Sequence, residues 1–113
     1  MKRNEIRWAA FDPARGGEMA KTRPAVIVSM DAFNQRMDIV TVCPLTSVLH
    51  PTWRSRIQVK CAGRPAEIAA DHIRTMSKTR LGKKLGSLSR AEALMLRQLI
   101  TELYGEPGAR PTL

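Results

Sequence analysis

The clearest helical pattern in this 113-residue chain starts at Ser89, and what lies ahead of it reads as a series of short strands. The Ser89 hydroxyl and the Glu92 carboxylate stand at the spacing of a capping box, in which each accepts the other's backbone N–H in the first turn. Leu96, Leu99, Ile100 and Leu103 then follow at i, i+3, i+4 and i+7, one apolar stripe that must be laid against something. Gly105 suits a left-handed terminator. A helix is therefore expected over about residues 89–104, with residues 106–113 as a tail. Its partner surface has to come from the strands, which makes the expected fold mainly β: a small barrel with one C-terminal α-helix packed on it.

The strands are written in short runs. Residues 5–11 alternate Ile6, Trp8 and Ala10 with Glu5, Arg7 and Ala9, the period of a half-buried strand. Residues 12–21 hold Pro13, Gly16 and Gly17 among mixed charges and read as a loop. Val26, Ile27 and Val28 place a buried strand at 24–29, with Pro24 at its first position, where a missing N–H is tolerated. Asp31 can cap a short helical turn through Ala32, Phe33 and Asn34. Ile39, Val40, Thr41 and Val42 mark a strand at 38–43 that Pro44 should end, followed by a polar loop at 45–53. Over 54–60, Arg54, Arg56, Gln58 and Lys60 alternate with Ser55, Ile57 and Val59, so one face carries three cations and the other packs inward. Residues 62–65 supply a turn, and 66–75 a strand weakened by its alanines. Between Arg74 and Arg90 every charged residue is basic, which reads first as a solvated face.

Composition narrows the function classes. A chain of this length fits one domain, 1–113, and its 43% apolar and 26% charged residues are those of a globular protein. The net charge of +9 favours polyanionic partners, nucleic acid first. Cys43 and Cys61 lack the paired spacing of a zinc knuckle or a redox motif, and each reads as a buried or half-buried thiol of a reduced compartment. Glu5 and Arg7 interrupt what would have to be a signal-peptide core, and no apolar run is long enough to cross a bilayer, so a cytoplasmic location and no membrane partner are expected. His50 and His72 lie far apart without a ligand cluster, and there is no phosphate-binding glycine loop, dinucleotide fingerprint or serine elbow. Neither metal nor cofactor is expected.

What remains is ordered in a telling way. The string GEMAKTRPAVIVSMDAFN, followed by IVTVCPLTS and then DHIRTMSKTRLGKKLGSLS, resembles the MazF/PemK (Kid) family of toxin endoribonucleases, from about Glu5 to the C-terminal helix. The resemblance implies the SH3-like barrel of the Kid and CcdB toxins, a homodimer, and cleavage of single-stranded mRNA at short motifs without metal. It also implies a cognate antitoxin whose acidic, flexible segment folds onto a basic groove. The family's catalytic pair, the arginine of an Arg-Pro dipeptide opening the second strand and a hydroxyl residue after the third, matches Arg23 and Thr46. The chain departs from the family pattern at Asn4, where glycine is usual, and at Arg7, Gly17 and Ala69.

Such a pair suits the chemistry. RNA can be cut by its own 2′-hydroxyl attacking the adjacent phosphorus, so the protein must stabilise added negative charge on the phosphoryl oxygens. Arg23 offers a permanently charged planar fork, and Thr46 a hydrogen bond to the same phosphate. Ser47, beside Thr46, is a supporting hydroxyl. Glu18 reads either as an acceptor for the 2′ proton or as an exposed loop carboxylate. Asp71 and Arg74, in the Asp-X-X-Arg-Thr segment, are supporting residues by resemblance. Arg15, Gly17, Lys21, Pro24, Trp53, Arg54 and Arg56 are candidates for RNA binding, by gripping phosphates or stacking a base. Two rivals stay open at this stage: a gyrase-poisoning toxin of the CcdB type, and a non-catalytic nucleic-acid-binding barrel.

Overall fold

A computed structural model describes residues 1–11 and 22–106. The loop expected at 12–21, with Arg15, Gly17, Glu18 and Lys21, and the tail from residue 107 onward lie outside the described residues. The elements in chain order are β1 (Glu5–Ala10), β2 (Thr22–Ile27), α1 (Asp31–Arg36), β3 (Ile39–Thr46), β4 (Arg56–Cys61) and β5 (Arg64–Ala69). A 3₁₀ turn (Ala70–His72), β6 (Arg74–Ser77), a second 3₁₀ turn (Lys78–Arg80), β7 (Leu81–Ser87) and α2 (Arg90–Tyr104) complete it. Every strand pair among the described residues is antiparallel. The sheet runs β4-β5-β3-β2-β1-β7, with β6 also paired to β3, so the expected mainly β fold is present as a curled sheet with a C-terminal helix.

The apolar runs of β2 and β3 are nearly continuous because both of their faces are buried. Val26, Cys43 and Leu45 join Ile57, Ile68 and Leu96 in one core. Ala25, Ile27, Val40 and Val42 turn to the other side, where they meet Ala9 and Met76. A sheet covered on both faces has no need of a polar alternate residue. Burial also pushes the Cys43 thiol up to about 12, which leaves it a packing group rather than a nucleophile.

Several expectations change in the structure. Pro44 does not end its strand: β3 runs on to Thr46 with Pro44 paired to Ala25. On the other edge of β3, pairing with β6 stops at Val42 and pairing with β5 begins at Leu45. A residue without an N–H thus falls where one ladder hands over to the next. The same handover splits the single strand expected at 66–75 into β5 and β6, whose registers on β3 are offset by the 3-residue turn Ala70–His72. The basic run after Arg74 is not merely a solvated face, since it contains β7, which pairs with β1 across two register shifts. Those shifts also break the alternation of β1: Glu5, Ile6 and Ala9 are buried while Trp8 is 40% exposed.

The helices need smaller corrections. The capping box of α2 is present, with Ser89 N–H donating to Glu92 Oε1 at 2.8 Å and Glu92 N–H to Ser89 Oγ at 3.1 Å. Its buried stripe is Ala93, Leu96 and Leu99, with Ile100 packed against it, while Leu103 is 37% exposed. Gly105 is extended rather than left-handed, and it serves by its lack of bulk, because a Cβ there would sit 2.6 Å from the Thr101 carbonyl oxygen. Asp31 is the first residue of α1 rather than its cap, and its carboxylate accepts the Arg3 N–H at 2.7 Å. Asn4, at a φ of 74°, occupies the left-handed region, which explains how it can stand where the family favours glycine.

Candidate functional site

Antiparallel register brings the two principal candidates together. β2 pairs with β3 through Ala25↔Pro44, and carrying that register on by two positions sets Arg23 opposite Thr46. Both line one cleft of about 460 Å³, shared with Pro24, Ser47, Arg64 and Pro65. Pro24 is the third residue of β2 and Pro65 the second of β5, each directly after an arginine. Arg23 is half-buried and Arg64 exposed. Among the described residues lining the cleft there is no carboxylate or imidazole. Neither guanidinium is tied to a carboxylate of the described residues, so the lining has an excess of positive charge and an array of donors suited to an anion.

The Thr46 hydroxyl is oriented by the main chain. Its oxygen accepts the Val48 N–H at 3.1 Å, the local turn that threonines often form. An acceptor lone pair is thereby used, and the hydroxyl proton is left to donate elsewhere, with the cleft beside it.

The loop after Thr46 is held from beneath by a buried ion network. Glu67, opposite Thr46 on β5, is 0% exposed. Its carboxylate accepts the His50 N–H at 2.5 Å, the Gln58 amide at 2.7 Å and the Arg56 guanidinium at 2.7 Å. Burial pushes the Glu67 carboxyl up, but these three donors outweigh it and hold it below the usual carboxylate range. Arg56 also donates to Asp71 at 2.9 Å, and against burial its pull sets Asp71 below the usual range too. The two carboxylates in turn raise Arg56, overcoming its own burial.

The remaining candidates divide accordingly. Arg23, Pro24, Thr46 and Ser47 meet in the cleft; Asp71, Arg74, Trp53, Arg54 and Arg56 do not line it. Arg56 was expected on a cationic outer face, yet its side chain is 8% exposed and committed to two carboxylates. Trp53, 48% exposed, stacks on His50 with ring centroids 3.7 Å apart and carries the Arg56 guanidinium 4.7 Å from its centroid. Arg54 pairs with Glu102 on α2, and Arg74 lies over the Phe11 ring at 5.5 Å. Glu18, Arg15, Gly17 and Lys21 fall outside the described residues. Arg64 is the cleft residue that sequence reasoning missed, and the signal was present: Arg64-Pro65 at the start of β5 repeats the Arg23-Pro24 that follows the first residue of β2.

Comparison with known proteins places the chain in a family. Residues 2–104 match the model of the PemK-like, MazF-like toxin of type II toxin–antitoxin systems. The chain is 33% identical to endoribonuclease MazF9 of Mycobacterium tuberculosis over 88% of its own length and 92% of the relative's. In structure it resembles a MazE–MazF assembly from Deinococcus radiodurans, with a TM-score of 0.80 at 23% identity over 93% of this chain and 96% of that one. It also resembles an endoribonuclease from a mycobacterial species solved in complex with its cognate antitoxin, with a TM-score of 0.77 at 21% identity over 98% and 99%. With nearly its whole described length matched, the chain belongs to the PemK-like, MazF-like toxin family of type II toxin–antitoxin systems.

Proposed function

We propose that this protein is a toxin endoribonuclease that cuts single-stranded mRNA without a metal ion, Arg23 and Thr46 acting together on the scissile phosphate. The observation that carries the reading is their place on one cleft, with the Thr46 oxygen already occupied by a backbone donor. The 2′-hydroxyl oxygen bonds to the adjacent phosphorus as the bond from phosphorus to the next 5′ oxygen breaks. The 2′ oxygen gives up its proton and the departing 5′ oxygen gains one, so the products are a 2′,3′-cyclic phosphate upstream and a 5′-hydroxyl downstream. Arg23 stabilises the charge that builds on the phosphoryl oxygens, and Thr46 donates a hydrogen bond to one of them. Proton release from Arg23 is no part of this scheme, because a guanidinium holds its proton too firmly.

Partners follow from the same reading. The net charge of +9 suits both RNA and the acidic segment of a cognate antitoxin, and solved relatives include complexes with MazE or a cognate antitoxin. A homodimer acting in the cytoplasm completes the proposal. Among the described residues no helix is long and apolar enough to cross a membrane.

The test is to incubate purified protein with mixed-sequence RNA in EDTA and map the ends. Cuts bearing cyclic phosphates that vanish in Arg23→Ala are the expected result. Intact RNA, or cuts that persist in that variant, would defeat the proposal.

A further inference from the structure

Among the described residues two arginines line the cleft, and only one is needed at the scissile phosphate. Arg64 reaches the same cleft from the opposite side of β3, since β3 lies between β2 and β5 in the sheet. It is placed by a tight turn: Cys61 pairs with Arg64 across the two-residue loop Ala62-Gly63, with φ of 53° and 78°. Positive φ at both positions is the geometry of the short hairpin turn that matches strand twist, so the arginine leaves the turn in a defined direction. The β3–β5 register pairs Thr46 with Glu67, and Arg64 stands three positions before Glu67 on β5. At about 3.3 Å per residue, Arg64 lies roughly 10 Å beyond Thr46 along the strand direction.

We propose that Arg64 forms a second phosphate subsite, gripping a neighbouring phosphate of the same RNA strand while Arg23 holds the one that is cut. The assignment rests on the nuclease reading for its ligand and on the cleft for its geometry. An exposed guanidinium with no carboxylate among the described residues to occupy it is available to a backbone anion. A phosphate contact positions the strand without reading its bases. Arg64 therefore sets where along the groove the chain is held, and the same grip acts on every sequence.

The experiment measures binding rather than cleavage. Randomised 2′-O-methyl oligoribonucleotides, which lack the attacking hydroxyl, are titrated against the parent, Arg64→Ala and Arg64→Lys proteins from 50 to 300 mM salt. In Arg64→Ala we expect roughly tenfold weaker binding at low salt. The slope of log affinity against log salt should be shallower by about 0.7, the value for one phosphate contact to a single strand. Arg64→Lys should keep the slope. Equal binding and equal slope in Arg64→Ala would overturn the subsite, as would a loss confined to sequences with one base at one position. A parent protein that cuts RNA while Arg64→Ala binds normally removes the subsite alone. A parent that binds with the expected Arg64 dependence but cuts nothing removes the nuclease reading alone, and a parent that binds none of the oligomers removes both.

Discussion

Arg23 and Arg56 are both arginines on short strands of one small sheet, and they do opposite work. Arg56 is surrounded: two carboxylates, 2.7 and 2.9 Å away, absorb its charge, and Trp53 covers it. Arg23 is half-buried at the edge of a cleft whose described lining has no carboxylate to satisfy it. A satisfied cation builds structure, whereas an unsatisfied one at a cleft waits for an anion from outside. The difference lies in the company each keeps, and the charge itself is silent on it.

Removing Arg56 should have the largest effect, and on stability. Arg56→Ala leaves Glu67 buried without its cation, so unfolding free energy should fall by about 3–5 kcal/mol in urea denaturation. A loss below about 1 kcal/mol would erase the distinction between the two arginines. Arg23→Ala should do the reverse, lowering the RNA cleavage rate about 10²–10³-fold, as for loss of one preorganised charge-stabilising donor. Its melting temperature should stay near the parent's, and a large drop there would place Arg23 in the structural group after all.

Acid should sharpen the contrast. Glu67 and Asp71 are held below their ordinary values of 4.5 and 3.8 in the folded protein. Their contribution is therefore complete above the unfolded-state values and disappears as pH falls through the folded ones. Stability measured from pH 6 down to pH 3 should fall more steeply in the parent than in Arg56→Ala, and parallel curves would show that Arg56 does not set these carboxylates. The smallest effect is expected at Ala62, whose φ of 53° is costly for a residue with a Cβ. Ala62→Asn should raise unfolding free energy by about 0.5–1 kcal/mol and leave cleavage unchanged. A loss of stability would mean that the turn is not strained.

Legibility followed whether a feature was local. β2 and β3 could be read because burial on both faces demands uninterrupted apolar, β-branched residues, and the capping box of α2 because four adjacent positions contain the whole motif. β7 was missed because Leu81–Ser87 has two glycines, two lysines and no β-branched residue; its strand geometry comes from pairing with β1. Arg23 and Thr46 were found through family resemblance and could not have been joined by spacing, since the β2–β3 register supplies their proximity. The misplacement of Arg56 has the same origin: alternation located it on the solvent side of β4, and nothing nearby in sequence announced that Glu67 and Asp71 would close around it.

One carboxylate at the start of α2 has a wider consequence. Glu92 divides its oxygens, Oε1 closing the first helical turn and Oε2 accepting the Lys60 N–H at 3.3 Å on β4, the last strand of its side of the sheet. A strand at a sheet border with idle amides is a template on which a stranger's chain can zip itself. By spending half of one side chain on that border, the helix that covers the core also leaves one amide fewer there for such pairing.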